Sequence, residues 1–159
     1  LDGDGDLELT LGSNHLRAQI ANIRFTSKLI DGKFPDYGRV VPDEPKNIIK
    51  ADRDLFRHAL QRAAILSNEK YRGVRLALAE NNITVQANNP EQEEAEETLE
   101  VEYSGEEMEI GFNVNYLLDA LGAVGEEQVE FGLGDTNSSC LIRAPGSDKN
   151  KFVVMPMRL

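Results

Sequence analysis

With one cysteine and two histidines, this chain of 159 residues has little of the chemistry that most sites require. A lone Cys140 excludes an internal disulfide and argues for a reducing compartment. Neither His15 nor His58 has a Cys or His partner at a metal-ligand spacing, so no metal centre is expected. Apolar runs are only a few residues long, too short for a helix that spans a bilayer. No stretch reads as a signal peptide, and the opening Leu1 in place of Met points to a piece of a longer chain. The acidic stretch Asp2-Gly3-Asp4-Gly5-Asp6 starts like a calcium loop. Leu7 stands where that loop needs glycine and Ser13 where it needs glutamate, so an ordinary acidic turn is expected. Gly132-Leu133-Gly134 lacks the Gly-Lys of a phosphate loop. Ser138, Ser139 and Cys140 have no base nearby in sequence, which leaves a hydrolase using Ser139 and His58 as a remote rival.

Charge is abundant but unevenly placed. The net charge is -11, from 28 acidic and 17 basic residues, yet ten glutamates and no lysine, arginine or aspartate lie between Glu91 and Glu109. Outside that window the balance is 18 to 17. Lys50 to Arg75 holds seven basic residues against three acidic ones, so an acidic chain carries one positive stretch. Such a stretch can meet a polyanion that the whole molecule repels.

Leu7, Leu9 and Leu11, then Leu16, Ala18 and Ile20, then Ile23 and Phe25 alternate with polar residues. Alternation marks half-buried strands, here about 6–12, 14–20 and 23–29. Three strands alone leave an apolar face to be covered by something upstream. Asp31 to Pro45, with three prolines and two glycines, reads as an extended linker. Beyond it a short strand at Ile48-Ile49 precedes a helix capped by Asp52 and running to about Leu66. Leu55, Phe56, Ala59, Leu60, Ala63 and Ala64 form its apolar stripe, with Arg53, Arg57, His58, Gln61 and Arg62 opposite. Strands at 74–80, 83–88, 94–103 and 107–112, a helix at 113–121, and strands at 127–133, 138–143 and 151–157 complete the reading. The order strand, helix, three strands therefore occurs twice, which makes an α+β fold with an internal repeat.

Phe25-Thr26-Ser27-Lys28-Leu29, Phe34-Pro35-Asp36-Tyr37, Arg62 through Val74, Ala87 through Glu97, Ile110-Gly111-Phe112-Asn113-Val114 and Val153 through Leu159 form long runs spread over nearly the whole chain. In that order they resemble the bacterial replicative sliding clamp, the beta subunit of DNA polymerase III. The resemblance implies the DNA-clamp fold of antiparallel sheets, with residues 1–37 ending clamp domain II and 38–159 forming domain III. It implies a non-catalytic, cytoplasmic processivity factor without a cofactor, a homodimer when full length. Such a ring encircles duplex DNA and tethers the polymerase alpha subunit, the clamp loader delta subunit and other proteins with short clamp-binding motifs. A peptide-binding or adhesion module with no DNA role is the alternative.

The same resemblance assigns residues. Pro35, Arg39, Val40, Tyr71, Asn113, Tyr116, Ser139, Val153, Val154, Met155, Pro156, Met157 and Arg158 fall on the partner-peptide groove, whose other wall belongs to domain II upstream of Leu1. Arg39 or Arg158 and the Asn113 amide are the expected polar anchors at its rim. Methionine suits an adaptable apolar pocket, while Asn137 departs from the apolar residue common at its position. Ile65 and Leu66, with Glu91, Glu93, Glu94, Glu96 and Glu97, fall on the dimer interface, where core packing at the helix end is the other reading of the apolar pair. Arg53, Arg57 and Arg62 are expected to face DNA and to meet phosphates without reading bases. The second helix has no lysine or arginine and adds little to that field.

Overall fold

A computed structural model describes residues 6–32, 36–42 and 45–158, with Arg39 described by its backbone alone. Most of the acidic turn at residues 2–6 and all of Pro35 lie outside the described residues. Two compact units divide the chain, residues 1–35 and 36–159.

The first unit is a three-stranded antiparallel sheet of β1 (Glu8–Leu11), β2 (His15–Ile20) and β3 (Ile23–Lys28), where alternation places strands. Its register aligns Leu9, Ala18 and Phe25 in one row and Leu11, Leu16 and Ser27 two rows on, on the same face. Leu9, Leu11, Ile23 and Phe25 are exposed on it.

The second unit opens with a short helix, α1 (Tyr37–Val40), inside the stretch expected to be extended. Asp36 starts it by accepting the Gly38 amide at 3.1 Å, a local signal outweighed in the sequence by the surrounding prolines and glycines. There follow β4 (Asn47–Asp52), α2 (Arg53–Ile65), β5 (Gly73–Ala79), β6 (Asn82–Asn88) and β7 (Glu94–Glu100). The pattern then repeats as β8 (Met108–Asn113), α3 (Val114–Ala123), β9 (Gln128–Leu133), β10 (Cys140–Arg143) and β11 (Phe152–Val154). Both helices start in the same way, on the last residue of the strand before. Asp52 accepts the Leu55 amide at 2.9 Å and Asn113 accepts the Asn115 amide at 2.9 Å.

The sheets have the orders β7-β6-β5-β8 and β11-β10-β9-β4. Each repeat thus contributes three strands to one sheet and its first strand to the other. β4 pairs antiparallel with β9, and β8 with β5. Equivalent contacts tie the sheets together at both ends. Lys50, fourth in β4, bridges Glu102, while Gly111, fourth in β8, bridges Met157. The first bridge ends β7 at Glu100, earlier than the expected Tyr103, because Glu102 turns away to exchange backbone hydrogen bonds of 2.9 and 3.0 Å with Lys50.

Between the sheets lies one core. Alternate residues of the strands enter it, including Ile49, Val74, Leu76, Ile83, Val85, Ile110, Phe112, Val129, Phe131 and Ile142. From the helices come Phe56, Leu60, Ala63, Leu117 and Leu121. Phe56 and Phe131 meet with ring centroids 4.8 Å apart at a tilt of 52°. Leu55 departs from the expected stripe and is exposed. It lies at the margin of the stripe, roughly 100° around the axis from Phe56 and in the first turn of α2.

Candidate functional site

The C-terminal strand is held from two sides. Across β10 and β11, Cys140 faces Val154 and Leu141 faces Val153. One residue before β10, the Ser139 hydroxyl donates to the Val40 carbonyl at 3.1 Å, which fastens α1 beside the strand. Beyond β11, the Met157 amide donates to the Gly111 carbonyl at 2.8 Å and lays the terminal segment along β8. Two residues further along β8, the Asn113 side-chain amide donates to the Tyr71 carbonyl at 3.1 Å. These links bring Val40, Tyr71, Asn113, Ser139 and Val153–Met157 into one region. Tyr116, one turn into α3 from Asn113, lines a depression of about 510 Å³ with Asp119, Lys151, Val153 and Val154.

The surface so formed is apolar and open. Tyr71 is 55%, Tyr116 61% and Met155 62% exposed. Val153, Pro156 and Met157 are half-buried, Val154 is buried and Arg158 is exposed. Arg39 lies in α1 by its backbone. Asn113 has both ends of its side chain engaged within the protein, by the Asn115 amide and the Tyr71 carbonyl, where sequence reading expects an anchor at the rim.

The basic helix is less uniform than its sequence. Arg53 donates to both carboxylate oxygens of Asp54, at 2.9 and 3.1 Å, and to the Val124 carbonyl at the end of α3, at 2.9 Å. The hydrogen bonds between the two side chains raise the pKa of Arg53 and lower that of Asp54. Arg62 donates to Glu97 of β7 at 2.7 and 3.0 Å. At 3.6 residues per turn it sits roughly 140° around the axis from Arg57, so the three arginines do not form one stripe. Of the three, only Arg57 has no hydrogen bond or ion pair among the described residues.

The acidic run follows a sheet edge. Glu94–Glu100 is β7, the outermost strand of its sheet, so one side of its backbone has no strand partner among the described residues. Glu96 accepts from Gln86 at 3.0 Å, Glu93 accepts from Asn89, and Glu91 and Glu94 are exposed. Glu97 points to the helix side of the strand, with Ala95 and Leu99. One turn after Arg62, Ile65 ends α2 with 77% of its surface exposed, while Leu66 is half-buried. Ile65 is therefore a surface residue and not part of the core.

Sequence reading passed over Asn68, whose carbonyl and side chain together hold the loop that carries Tyr71. Its signal was an asparagine three residues past the end of α2, a frequent turn former. Also missed was Glu130, buried on β9 under the guanidinium of Arg143 at 2.7 and 2.9 Å. Ser139 is spent on the Val40 carbonyl, His58 is exposed on α2, and no metal-binding group occurs among the described residues.

Residues 38–158 match the family described as DNA polymerase III beta subunit, C-terminal domain, and residues 1–36 match the central domain of the same subunit. The chain is 56% identical over 156 residues to the beta sliding clamp of Pseudomonas aeruginosa, covering 98% of this chain and 42% of that protein. It is 55% identical over 157 residues to the beta sliding clamp of Escherichia coli K12, covering 99% and 43%. A crystal structure of the sliding clamp from P. aeruginosa bound to griselimycin superposes with a TM-score of 0.84 at 55% identity, over 99% of this chain and 43% of that one. A griselimycin-bound clamp from Bartonella birtlesii gives 0.88 at 35% identity, over 99% and 42%. This chain accordingly spans less than half the length of the proteins it matches. With both of its segments matched in order along nearly its whole length, the chain belongs to the family of the DNA polymerase III beta subunit.

Proposed function

We propose that this chain is the C-terminal part of a ring-shaped sliding clamp, with residues 1–37 ending its second domain and residues 38–159 forming its third. The complete ring encircles duplex DNA without reading sequence. It acts in the cytoplasm as a non-catalytic processivity factor and tethers the polymerase alpha subunit, the clamp loader delta subunit and other partners by short peptides. The observation that carries this reading is the open apolar terminal segment, Val153–Met157, flanked by exposed Tyr71 and Tyr116. An exposed apolar patch of this kind suits a peptide that buries leucine and aromatic side chains. Ile65 and the acidic edge of β7 support a head-to-tail contact with a basic, partly apolar surface of another subunit.

Calorimetric titration of the full-length parent with a Gln-Leu-x-Leu-Phe-type peptide tests the groove. Deleting Met155–Leu159 abolishes binding, once circular dichroism has shown that the fold survives. A folded deletion variant that binds as tightly as the parent overturns the assignment. A second assay tests the ring. The parent, loaded on circular DNA, stays linked in high salt and is released when the circle is cut, whereas this chain alone is not retained.

A further inference from the structure

The loop between α2 and β5 carries Tyr71, and two asparagines hold it from opposite sides. From within the loop, the Asn68 side-chain oxygen accepts both the Lys70 and the Tyr71 amides at 3.0 Å, and the Asn68 carbonyl accepts the Arg72 amide at 2.7 Å. From outside it, the Asn113 amide nitrogen donates to the Tyr71 carbonyl at 3.1 Å, and the Val114 amide donates to the Arg72 carbonyl at 2.8 Å. Arg72 is held at φ 51°, a left-handed conformation that a long side chain adopts only when its surroundings impose it. Lys70 places its ammonium 5.2 Å from the centre of the Tyr71 ring, so the phenol has a cation on one face. An aromatic side chain that is more than half exposed thus stands on a backbone fixed at both of its peptide groups.

We propose that Asn68 and Asn113 are positioning residues that act on partner peptides through Tyr71, setting the height and angle of one groove wall without contacting the peptide themselves. This rests on the groove reading above. The hydrogen-bond chemistry distinguishes the two residues. Asn68 uses its side-chain oxygen as an acceptor, a role that aspartate also fills. Asn113 uses its oxygen to cap α3 and its nitrogen to donate to Tyr71. Aspartate there keeps the cap but sets a carboxylate oxygen against the Tyr71 carbonyl. One chemical replacement therefore has opposite consequences at the two positions.

The test uses the full-length parent and the same Gln-Leu-x-Leu-Phe-type peptide, titrated by calorimetry. Asn68→Asp binds like the parent. Asn68→Ala and Asn113→Asp each weaken binding about five- to tenfold, the scale of one lost hydrogen bond expressed as affinity. In a Tyr71→Ala background both of those losses vanish, because the side chain they position is gone. Amide hydrogen exchange supplies a readout of the loop itself, with protection at Tyr71 lost in Asn68→Ala and kept in Asn68→Asp. Equal losses with and without Tyr71 overturn the positioning role and make Asn113 a direct contact. Unchanged affinity in Asn68→Ala and Asn113→Asp, where Tyr71→Ala alone weakens binding, also overturns it and leaves the groove intact. No effect of Tyr71→Ala overturns this wall of the groove, and the proposal with it, while the Met155–Leu159 deletion reports separately on the groove as a whole.

Discussion

Arg62 and Glu97 form a two-pronged ion pair, at 2.7 and 3.0 Å, between the last turn of α2 and the middle of edge strand β7. One belongs to the helix expected to meet DNA, the other to the acidic run expected to meet a partner subunit. Within a single chain they satisfy each other, so each surface holds a charge already committed to its neighbour.

The pair has a pH signature. The Arg62 hydrogen bond holds the folded-state pKa of Glu97 below the ordinary carboxylate value. Its stabilisation is therefore present above the unfolded-state pKa and is lost as pH falls through the lowered folded value. Both side chains are partly exposed, so the effect is small and salt-sensitive. Glu97→Gln melts below the parent at neutral pH, and the gap closes in acid. Thermal melts across the acid range check this, and a gap that stays constant removes the pair from the pH dependence.

Arg57 and Arg62 separate on DNA. In the intact parent, Arg57→Ala lowers affinity for duplex of any sequence and reduces the salt slope by about 0.9, the value of one phosphate contact. Arg62→Ala leaves the slope unchanged, since its guanidinium is occupied by Glu97. Binding titrations at several salt concentrations measure both. An equal drop for Arg62→Ala means that DNA breaks the ion pair.

At the end of α2 an apolar side chain lies in water. Replacing Ile65 and Leu66 by alanine shifts the full-length protein toward monomers, because burial of such side chains contributes roughly 1.5–3 kcal/mol each. Ile65→Ala alone leaves the melting temperature of this chain nearly unchanged, given its exposure. Analytical ultracentrifugation decides the first point, and an unaltered dissociation constant rejects the interface role.

Gly132 on β9 has Pro45 against it. A Cβ at that position would come within 2.7 Å of the Pro45 Cβ and closer still to its Cγ. Gly132→Ala therefore destabilises the chain by about 1–3 kcal/mol, the usual penalty of overpacking. Adding Pro45→Gly, which removes both the Cβ and the Cγ, restores much of it. Denaturant melts of the single and double variants test the contact. Failure of the second substitution to rescue places the clash elsewhere.

Strand alternation and helix capping made most elements legible. Leu7, Leu9 and Leu11 mark β1, Asp52 marks the start of α2, and the repeated order of strand, helix and three strands is the observed one. The partners of β4 and β8 were not legible, because pairing such as Asn47 with Leu133 depends on chain segments that no local pattern connects. Leu55 read as core because it keeps helical spacing with Ala59, although its place at the margin of the stripe, in the first turn of α2, leaves it exposed. The three arginines of α2 read as one surface because composition counts charges and ignores azimuth. Which of them is already neutralised depends on Asp54, Glu97 and the Val124 carbonyl. Asn68 lacks charge and bulk, and its importance lies only in which backbone amides it reaches.

The crossing of first strands makes the two halves of residues 47–154 mutually dependent. Without β4, β9 would be left as an open edge; without β8, β5 would be. A polypeptide cut between Tyr103 and Glu107 would yield two pieces, each carrying the strand that the other needs. Heat or denaturant should accordingly melt both sheets in a single cooperative step. Two identical copies of one repeat would satisfy the same pairing by trading their first strands, so this unit has the connectivity of a strand-exchanged dimer contained in one chain.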